Sequence, residues 1–179
     1  MIEAIRKHRL QSDDDVRKLI GWLKEPKVGE QVNCTQKDHT PPFRMVADVL
    51  TGRALDYITW ANRSGGKTYL AGLIAWVSSG FTPGLETTVL GGSFEQSGKV
   101  YEAMNSLWGT TGLQAEYLET EPTKKKTTWR NGSKVSVLTA STRSTRGPHP
   151  HRLILDEVDE MKEEVYRAAL SQPMGKRGI

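Results

Sequence analysis

A chain of 179 residues with a net charge of +4 and 36% hydrophobic residues is long enough to bury its own core and too apolar to be a disordered segment. Its single cysteine, Cys34, excludes an intrachain disulfide and points to a reducing cytoplasm. The most apolar run, Leu70 to Val77, falls far short of the roughly 20 residues that cross a bilayer, and the charged N-terminus lacks the apolar stretch of a secretory signal, so a soluble protein without a membrane partner is expected.

Taken in chain order, Asp13 to Leu23 predicts a short helix, with Asp13-Asp14-Asp15 as cap and acidic first turn and Val16, Leu19, Ile20 and Leu23 on one face. Pro26 stops it, and residues 24–42 read as irregular; Cys34 lies here with no base beside it and reads as incidental. Phe43 to Leu50 predicts a second short helix closed by Gly52. Tyr57 to Ala61 predicts a strand, followed by a glycine-rich turn and a helix from Lys67 to about Ser79. Thr87 to Leu90 predicts a strand, and Gly91-Gly92-Ser93 opens a helix over about Phe94 to Trp108. Around the Asn131-Gly132 turn signal, Thr127–Arg130 and Lys134–Thr139 predict the arms of a hairpin. A polar loop covers 140–151, Leu153-Ile154-Leu155 predicts a buried strand, and Lys162 to Leu170 a final helix. Strands alternating with helices imply an α/β domain with a largely parallel sheet, with Tyr57–Ala61 and Leu153–Leu155 as central strands.

Two segments carry chemistry. Ala61-Asn62-Arg63-Ser64-Gly65-Gly66-Lys67-Thr68 matches the phosphate-loop pattern G-x-x-x-x-G-K-[ST] except for alanine at the first glycine. In such a loop the backbone N–H groups of Asn62 to Thr68 converge on phosphate oxygens at a helix N-terminus, Lys67 reaches the β- and γ-phosphates, and the Thr68 hydroxyl binds Mg²⁺. The competing account is a Gly-Gly turn before a helix that happens to begin Lys-Thr. Leu153-Ile154-Leu155 then ends in Asp156-Glu157, where the aspartate suits Mg²⁺ and the glutamate suits polarisation of an attacking water. Acids capping the next helix would give the same local pattern. The two motifs together, in an α/β frame, imply ATP and Mg²⁺ as cofactors. Basic residues gather in two groups, Lys124-Lys125-Lys126 with Arg130 and Lys134, and Arg143, Arg146 and Arg152.

The combination of Arg63 within the phosphate loop, Ser141-Thr142-Arg143-Ser144-Thr145-Arg146-Gly147 before the Asp156-Glu157 strand, Gly92-Ser93-Phe94-Glu95-Gln96-Ser97 at a helix start and Ser171-Gln172-Pro173 after the last helix resembles the N-terminal ATPase domain of tailed-phage terminase large subunits over residues 40–175. That resemblance implies a P-loop NTPase fold of the ASCE, RecA-like type, with residues 1–42 as a lead-in and 43–179 as the core. It implies ATP hydrolysis powering the packaging of double-stranded DNA, with other copies of the chain in a ring, a portal protein and a terminase small subunit as partners, in the host cytoplasm and transiently at the procapsid portal. By the same resemblance Glu157 is the catalytic acid, Arg63 or Arg146 supplies an arginine finger with Arg143 as competitor, and Ser171, Gln172 and Pro173 form the coupling motif. An adenine-contacting glutamine motif is not evident; Pro42-Phe43-Arg44 is its nearest candidate, with Phe43 or Arg44 against the base. The carboxylates of the family's C-terminal nuclease are not found either, so a fragment of a longer protein is expected. Two other readings stand beside this one: a helicase of the DExx type, whose second RecA-like domain is absent here, and an assembly module that binds nucleotide without hydrolysing it.

Overall fold

The structure, a computed structural model, describes residues 10–23, 40–61, 65–138 and 149–172. It divides into two compact units, Met1–Leu70 and Ala71–Ile179.

The first unit holds helices α1 (Asp13–Leu23) and α2 (Pro42–Leu50). The cap of α1 is Ser12, one residue before the predicted aspartates. Its hydroxyl accepts the Asp15 N–H at 3.2 Å while the Asp15 carboxylate accepts the Ser12 N–H at 3.0 Å, a reciprocal arrangement that satisfies two N–H groups at once. Val16, Leu19 and Leu23 from α1 and Phe43, Val46, Ala47 and Leu50 from α2 are buried, the two apolar stripes expected of paired amphipathic helices. Pro42 sits in the first turn of α2, where its missing N–H costs nothing. Asp13 accepts from Arg53 and pairs with Arg44 at 3.5 Å, which ties the start of α1 to α2 and the turn beyond it.

The predicted strand Tyr57–Ala61 does not form. The segment carries no ladder, and Ile58 and Trp60 are 88% and 96% exposed. Its tie within the unit is the Thr59 hydroxyl, which donates to the Met45 sulfur at 2.5 Å. β-Branched and aromatic residues favour strands because they fit a half-buried pleated surface, not because the isolated backbone prefers to be extended and paired. Unpaired with any strand among the described residues, the segment has the pattern of a strand without its ladder.

The second unit is a four-stranded sheet between helices. Helix α3 (Lys67–Phe81) crosses the unit boundary; β1 (Glu86–Gly91), α4 (Phe94–Thr111), the single turn α5 (Gln114–Tyr117), β2 (Lys126–Thr128), β3 (Lys134–Leu138), β4 (Arg152–Asp156), a 3₁₀ turn (Val158–Glu160) and α6 (Glu163–Leu170) follow. The strand order is β2-β3-β1-β4. β1 runs parallel to β3 and to β4, with Leu90 opposite Leu138 and Leu155, and β2 closes the far edge antiparallel to β3. The mixed α/β, mostly parallel architecture therefore agrees with the expectation, whereas Leu153–Leu155 lies in an end strand of this sheet, paired with β1 alone among the described residues, and not at its centre.

Both faces of the sheet are covered. Leu90 packs with Val165 and Ala169 of α6, together with Leu138, Leu153, Leu155 and Met161. Val89 and Gly91 point the other way, because alternate residues on a strand face opposite sides. A side chain on Gly91 would meet the Ser97 N–H at 2.7 Å, so the first turn of α4 lies on that second face. Helix α3 packs closely on α4 through Gly72, where an added Cβ would come within 2.8 Å of the Met104 backbone. Trp76 meets Trp108 edge to face and Trp108 meets Trp129 at a tilt, with centroids 5.2 and 5.7 Å apart, joining α3, α4 and the end of β2. The turn at Asn131-Gly132 also serves the helix: the Asn131 side chain donates to the carbonyls of Ser79 and Gly80, two of the unpaired acceptors that end α3. The paired hairpin arms are Lys126–Thr128 and Lys134–Leu138; the first starts one residue earlier than predicted and stops before Trp129, whose N–H donates to the Ser133 carbonyl across the turn, while Thr139 of the second lies outside the described residues.

At its start, β4 is held by two side chains. His151 Nδ1 accepts the Glu86 N–H at 3.1 Å and the His151 N–H donates to the Glu86 carbonyl at 2.8 Å. Arg152 donates to the Ser78 hydroxyl of α3, and burial pushes its guanidinium down to about 10, so it remains a cation at neutral pH. No helix among the described residues is long and apolar enough to cross a membrane.

The cap of α1 is pH-sensitive in a defined direction. The hydrogen bond from Arg53 holds Asp13 below its ordinary 3.8, and those from the Ser12 hydroxyl and the Gln11 amide do the same for Asp15. A carboxyl depressed in the folded state stabilises it above its unfolded pKa, and that contribution disappears as the pH falls through the folded value. Helix content of the first unit should therefore drop as the pH falls below 3.8, and Asp13→Asn with Asp15→Asn should flatten that loss in a circular dichroism titration.

Candidate functional site

The glycine-rich turn before α3 is described from Gly65 onward; Asn62, Arg63 and Ser64 lie outside the described residues. Gly66 has φ +76°, a left-handed backbone that glycine adopts without steric cost. Its carbonyl accepts the Leu70 N–H at 2.9 Å and so opens α3. Lys67 is half-buried, and its Nζ donates to the Ala61 carbonyl at 2.9 Å, folding the ammonium back across the turn. The Lys67 cation and the first N–H groups of α3 thus occur at one helix end, a combination suited to anionic oxygen.

In the second unit, β4 ends at Asp156, opposite Gly91 of β1, and the Asp156 side chain is 8% exposed. Glu157 follows with φ 52° and ψ 52°, the one non-glycine residue of positive φ among the described residues. That conformation costs roughly 1–2 kcal/mol for a residue with a Cβ. It breaks the strand alternation at this point, so the Glu157 side chain is not simply directed to the face opposite Asp156. A 3₁₀ turn follows, with the Glu160 N–H donating to the Glu157 carbonyl at 3.0 Å. Glu160 accepts from the Gln96 amide of α4, which pins the turn to the helix across the end of β1.

Ser97 is the residue that holds this rim together, and the sequence reading passed over it as one member of a helix start. It is fully buried. Its hydroxyl oxygen accepts the Gly91 N–H at 2.6 Å, and its proton faces the carbonyls of Ser93 at 2.9 Å and Leu138 at 3.2 Å. The ends of β1 and β3 and the cap of α4 are thereby locked to one atom. The signal in the sequence was a small hydroxyl residue four places after the Ser93 cap, directly behind a Gly-Gly break.

Phe43 is 4% exposed, and the guanidinium of Arg17 lies 4.0 Å from its ring centroid; Arg44 pairs with Asp13 and with Asp48 at 3.3 Å. A base stacking on Phe43 would have to displace Arg17 and enter the α1–α2 core. Ser171 ends α6, its hydroxyl donating to the Ala168 carbonyl at 2.8 Å, and Gln172 is buried behind it. Pro173, Arg143 and Arg146 lie outside the described residues, as does Cys34.

The donor chemistry can be tested against a divalent cation. Among the described residues no cluster of three or more metal-ligating side chains occurs. Mg²⁺ that rides on phosphates needs only one or two protein oxygens; the Thr68 hydroxyl in the first unit and the Asp156 carboxylate in the second are each, taken separately, hard donors of the right kind. No protein-family model matches the chain, and no curated protein matches it.

The left-handed backbone at Glu157 makes a direct prediction. Glu157→Gly and Glu157→Ala both delete the carboxylate, yet the glycine variant should be more stable than the alanine variant by about 1 kcal/mol in denaturant unfolding. Equal stabilities would mean that residue 157 is not held in this conformation.

Proposed function

We propose that the chain is a P-loop ATPase domain of the ASCE, RecA-like type, and that it powers the packaging of double-stranded viral DNA in the manner of a terminase large subunit. The observation that carries this reading is the acidic pair at the end of β4, with a buried Asp156 followed by Glu157 in a left-handed backbone. Ligands of open parallel sheets bind beyond the carboxyl ends of the strands, and strained backbone gathers where chemistry is done. The Gly66-Lys67-Thr68 helix start supports it from the other motif, because a left-handed glycine followed by a half-buried lysine is what close contact with a phosphate requires.

In this reading the backbone N–H groups from Asn62 to Thr68 bind the phosphates and Lys67 exchanges the Ala61 carbonyl for β- and γ-phosphate oxygens. Thr68 and Asp156 would hold Mg²⁺, which when bound would offset the charge of the phosphate oxygens. Glu157 accepts a proton from, or orients, the water that attacks the γ-phosphorus. Arg63 supplies positive charge from within the subunit or Arg146 from a neighbouring one, and Ser171, Gln172 and Pro173 report the nucleotide state to the rest of the motor. This division of labour assigns ATP binding to one set of residues and turnover to another.

Lys67→Ala should lose nucleotide affinity and all turnover, whereas Glu157→Gln should bind a fluorescent ATP analogue normally and release no phosphate. Should both variants bind nucleotide as the wild type does, the phosphate-loop assignment fails; a Glu157→Gln enzyme with normal turnover would move the catalytic acid to Asp159 or Glu160. A helicase would separate strands in an unwinding assay, and an assembly module would bind ATP without releasing phosphate.

Arg146 is tested by complementation in the assembled motor. Arg146→Ala should leave nucleotide binding to the isolated chain nearly intact and abolish hydrolysis in the assembly. Mixed with Glu157→Gln, it should regain some activity, because a boundary between two different variants can contain one complete site. Absence of recovery in rings of verified mixed composition would assign Arg146 a role within its own subunit.

A further inference from the structure

The structure divides the basic cluster that the sequence places together. Arg130 and Lys134 belong to the end of the hairpin that meets the start of β1: Arg130 donates to the Ala115 carbonyl, and Lys134 is paired with Glu86 at 3.3 Å. Lys124, Lys125 and Lys126 sit at the other end, all exposed, and none forms an ion pair among the described residues. The Val137 N–H donates to the Lys125 carbonyl at 2.9 Å, which sets the lysines level with the end of β3. Leu138, Leu90 and Leu155 lie abreast in the register, and Asp156 follows directly. The three lysines and the Asp156-Glu157 pair therefore occupy the same rim of the sheet, β2 and β4 being three strand spacings, roughly 14 Å, apart.

The lysine turn is rigidly held. The Thr123 hydroxyl accepts the N–H groups of Lys125 at 3.3 Å and Lys126 at 3.0 Å, and the Thr123 N–H donates to the Lys126 carbonyl at 3.0 Å. Behind it, the buried Tyr101 hydroxyl bonds both the Thr123 carbonyl at 2.9 Å and the Thr127 hydroxyl at 2.7 Å, fastening the turn to α4. Exposed lysines commonly protect the edge strand of a sheet from pairing with another chain. Here that protection is already supplied by the chain itself, since the outward carbonyls of Lys126 and Thr128 accept from Thr123 and Glu119. Nearby acids do not neutralise the turn either: Glu121 accepts from Gln114 at 2.7 Å, and Glu119 lies beside Thr128 at the opposite end of β2.

We infer that Lys124, Lys125 and Lys126 form a phosphate-backbone contact for double-stranded DNA on the rim that carries Asp156 and Glu157. Three cations carried on a hydrogen-bonded turn meet a polyanion without the cost of ordering the backbone beneath them, and backbone phosphates need only charge and position, not a base-specific donor pattern. Single strands are bound chiefly by stacking bases on open aromatic faces. The aromatic ring at this rim, Phe94, already has the Lys125 ammonium 5.4 Å from its centroid, which favours a backbone contact over a stacking platform. The choice of DNA as the polyanion rests on the motor reading above; the placement of the cations does not.

Counterion release gives the test a quantitative form. Binding of a fluorescent 40-base-pair duplex of mixed sequence by the full chain, without nucleotide, is followed by anisotropy from 50 to 200 mM salt. Each lost phosphate contact reduces the slope of log affinity against log salt by about 0.9, so Lys124→Gln, Lys125→Gln and Lys126→Gln together should flatten it by about 2.7. Over the fourfold salt range the wild type should lose about 40-fold more affinity than the triple variant. The corresponding triple arginine variant should keep the wild-type slope, and all three proteins should melt alike. An unchanged slope in the glutamine variant overturns the inference. So does lysine-dependent binding to phosphatidylserine vesicles without binding to the duplex, and so does self-association of the variant at unchanged slope, which would assign the lysines to edge protection. A chain that binds duplex through these lysines but binds no ATP analogue supports this inference and defeats the motor reading. A chain that hydrolyses ATP with lysine-independent DNA binding does the reverse.

Discussion

The geometry of the second unit depends on one buried hydroxyl. Ser97 accepts the last N–H of β1 and faces the last carbonyl of β3 from within the first turn of α4. A backbone group left unpaired at a buried strand end costs about 1–3 kcal/mol, so without such a bridge the end of the sheet and the helix would have to separate far enough to admit water. The close approach is possible because residue 91 is glycine; any Cβ there would collide with the Ser97 amide. Gly91 and Ser97 are thus a matched pair, one making room and the other supplying the bond, and the ends of β1 and β3 are fixed by it.

Everything of chemical interest in that unit is arranged relative to this junction. Asp156 is opposite Gly91, the 3₁₀ turn after Glu157 is tied to α4 through Gln96, and the lysine turn abuts the end of β3. The acid proposed for catalysis needs a position set more precisely than an ordinary surface loop allows. Here the position is inherited from backbone ladders and a helix cap, with few free torsions between them and the acid. The cost is localised at Glu157, whose unfavourable φ persists because the elements before and after it are fixed independently.

Much of the fold was legible in the sequence, and the reasons are local. Helices α1, α2, α4 and α6 announce themselves by apolar spacing, caps and Gly or Pro stops, and β1, β3 and β4 by short β-branched or apolar runs between turn residues. Asn131-Gly132 marks a turn correctly because Gly132, at φ +83°, needs a left-handed backbone. What the sequence did not disclose is relational. Leu153-Ile154-Leu155 reads as a central strand although β1 is its one partner among the described residues, and Tyr57–Ala61 reads as a strand although it pairs with none of them. Strand identity depends on neighbours that local pattern cannot name. For the candidate site, Asp156-Glu157 and Gly66-Lys67 were visible as motifs, whereas the role of Ser97, the Gln96–Glu160 bond and the division of the lysine cluster required the register of the sheet.

The exposed run from Leu55 to Trp60 has a practical consequence. Leu55, Ile58 and Trp60 are 94%, 88% and 96% exposed, and Asp56 is the one charge among them. Short, β-prone, weakly charged segments of this kind are the usual seeds of intermolecular sheet growth, and a single carboxylate is a thin safeguard. Purified chain should consequently be sensitive to its own concentration. Asp56→Asn, which deletes the one gatekeeping charge, should make the stored chain precipitate at lower concentration.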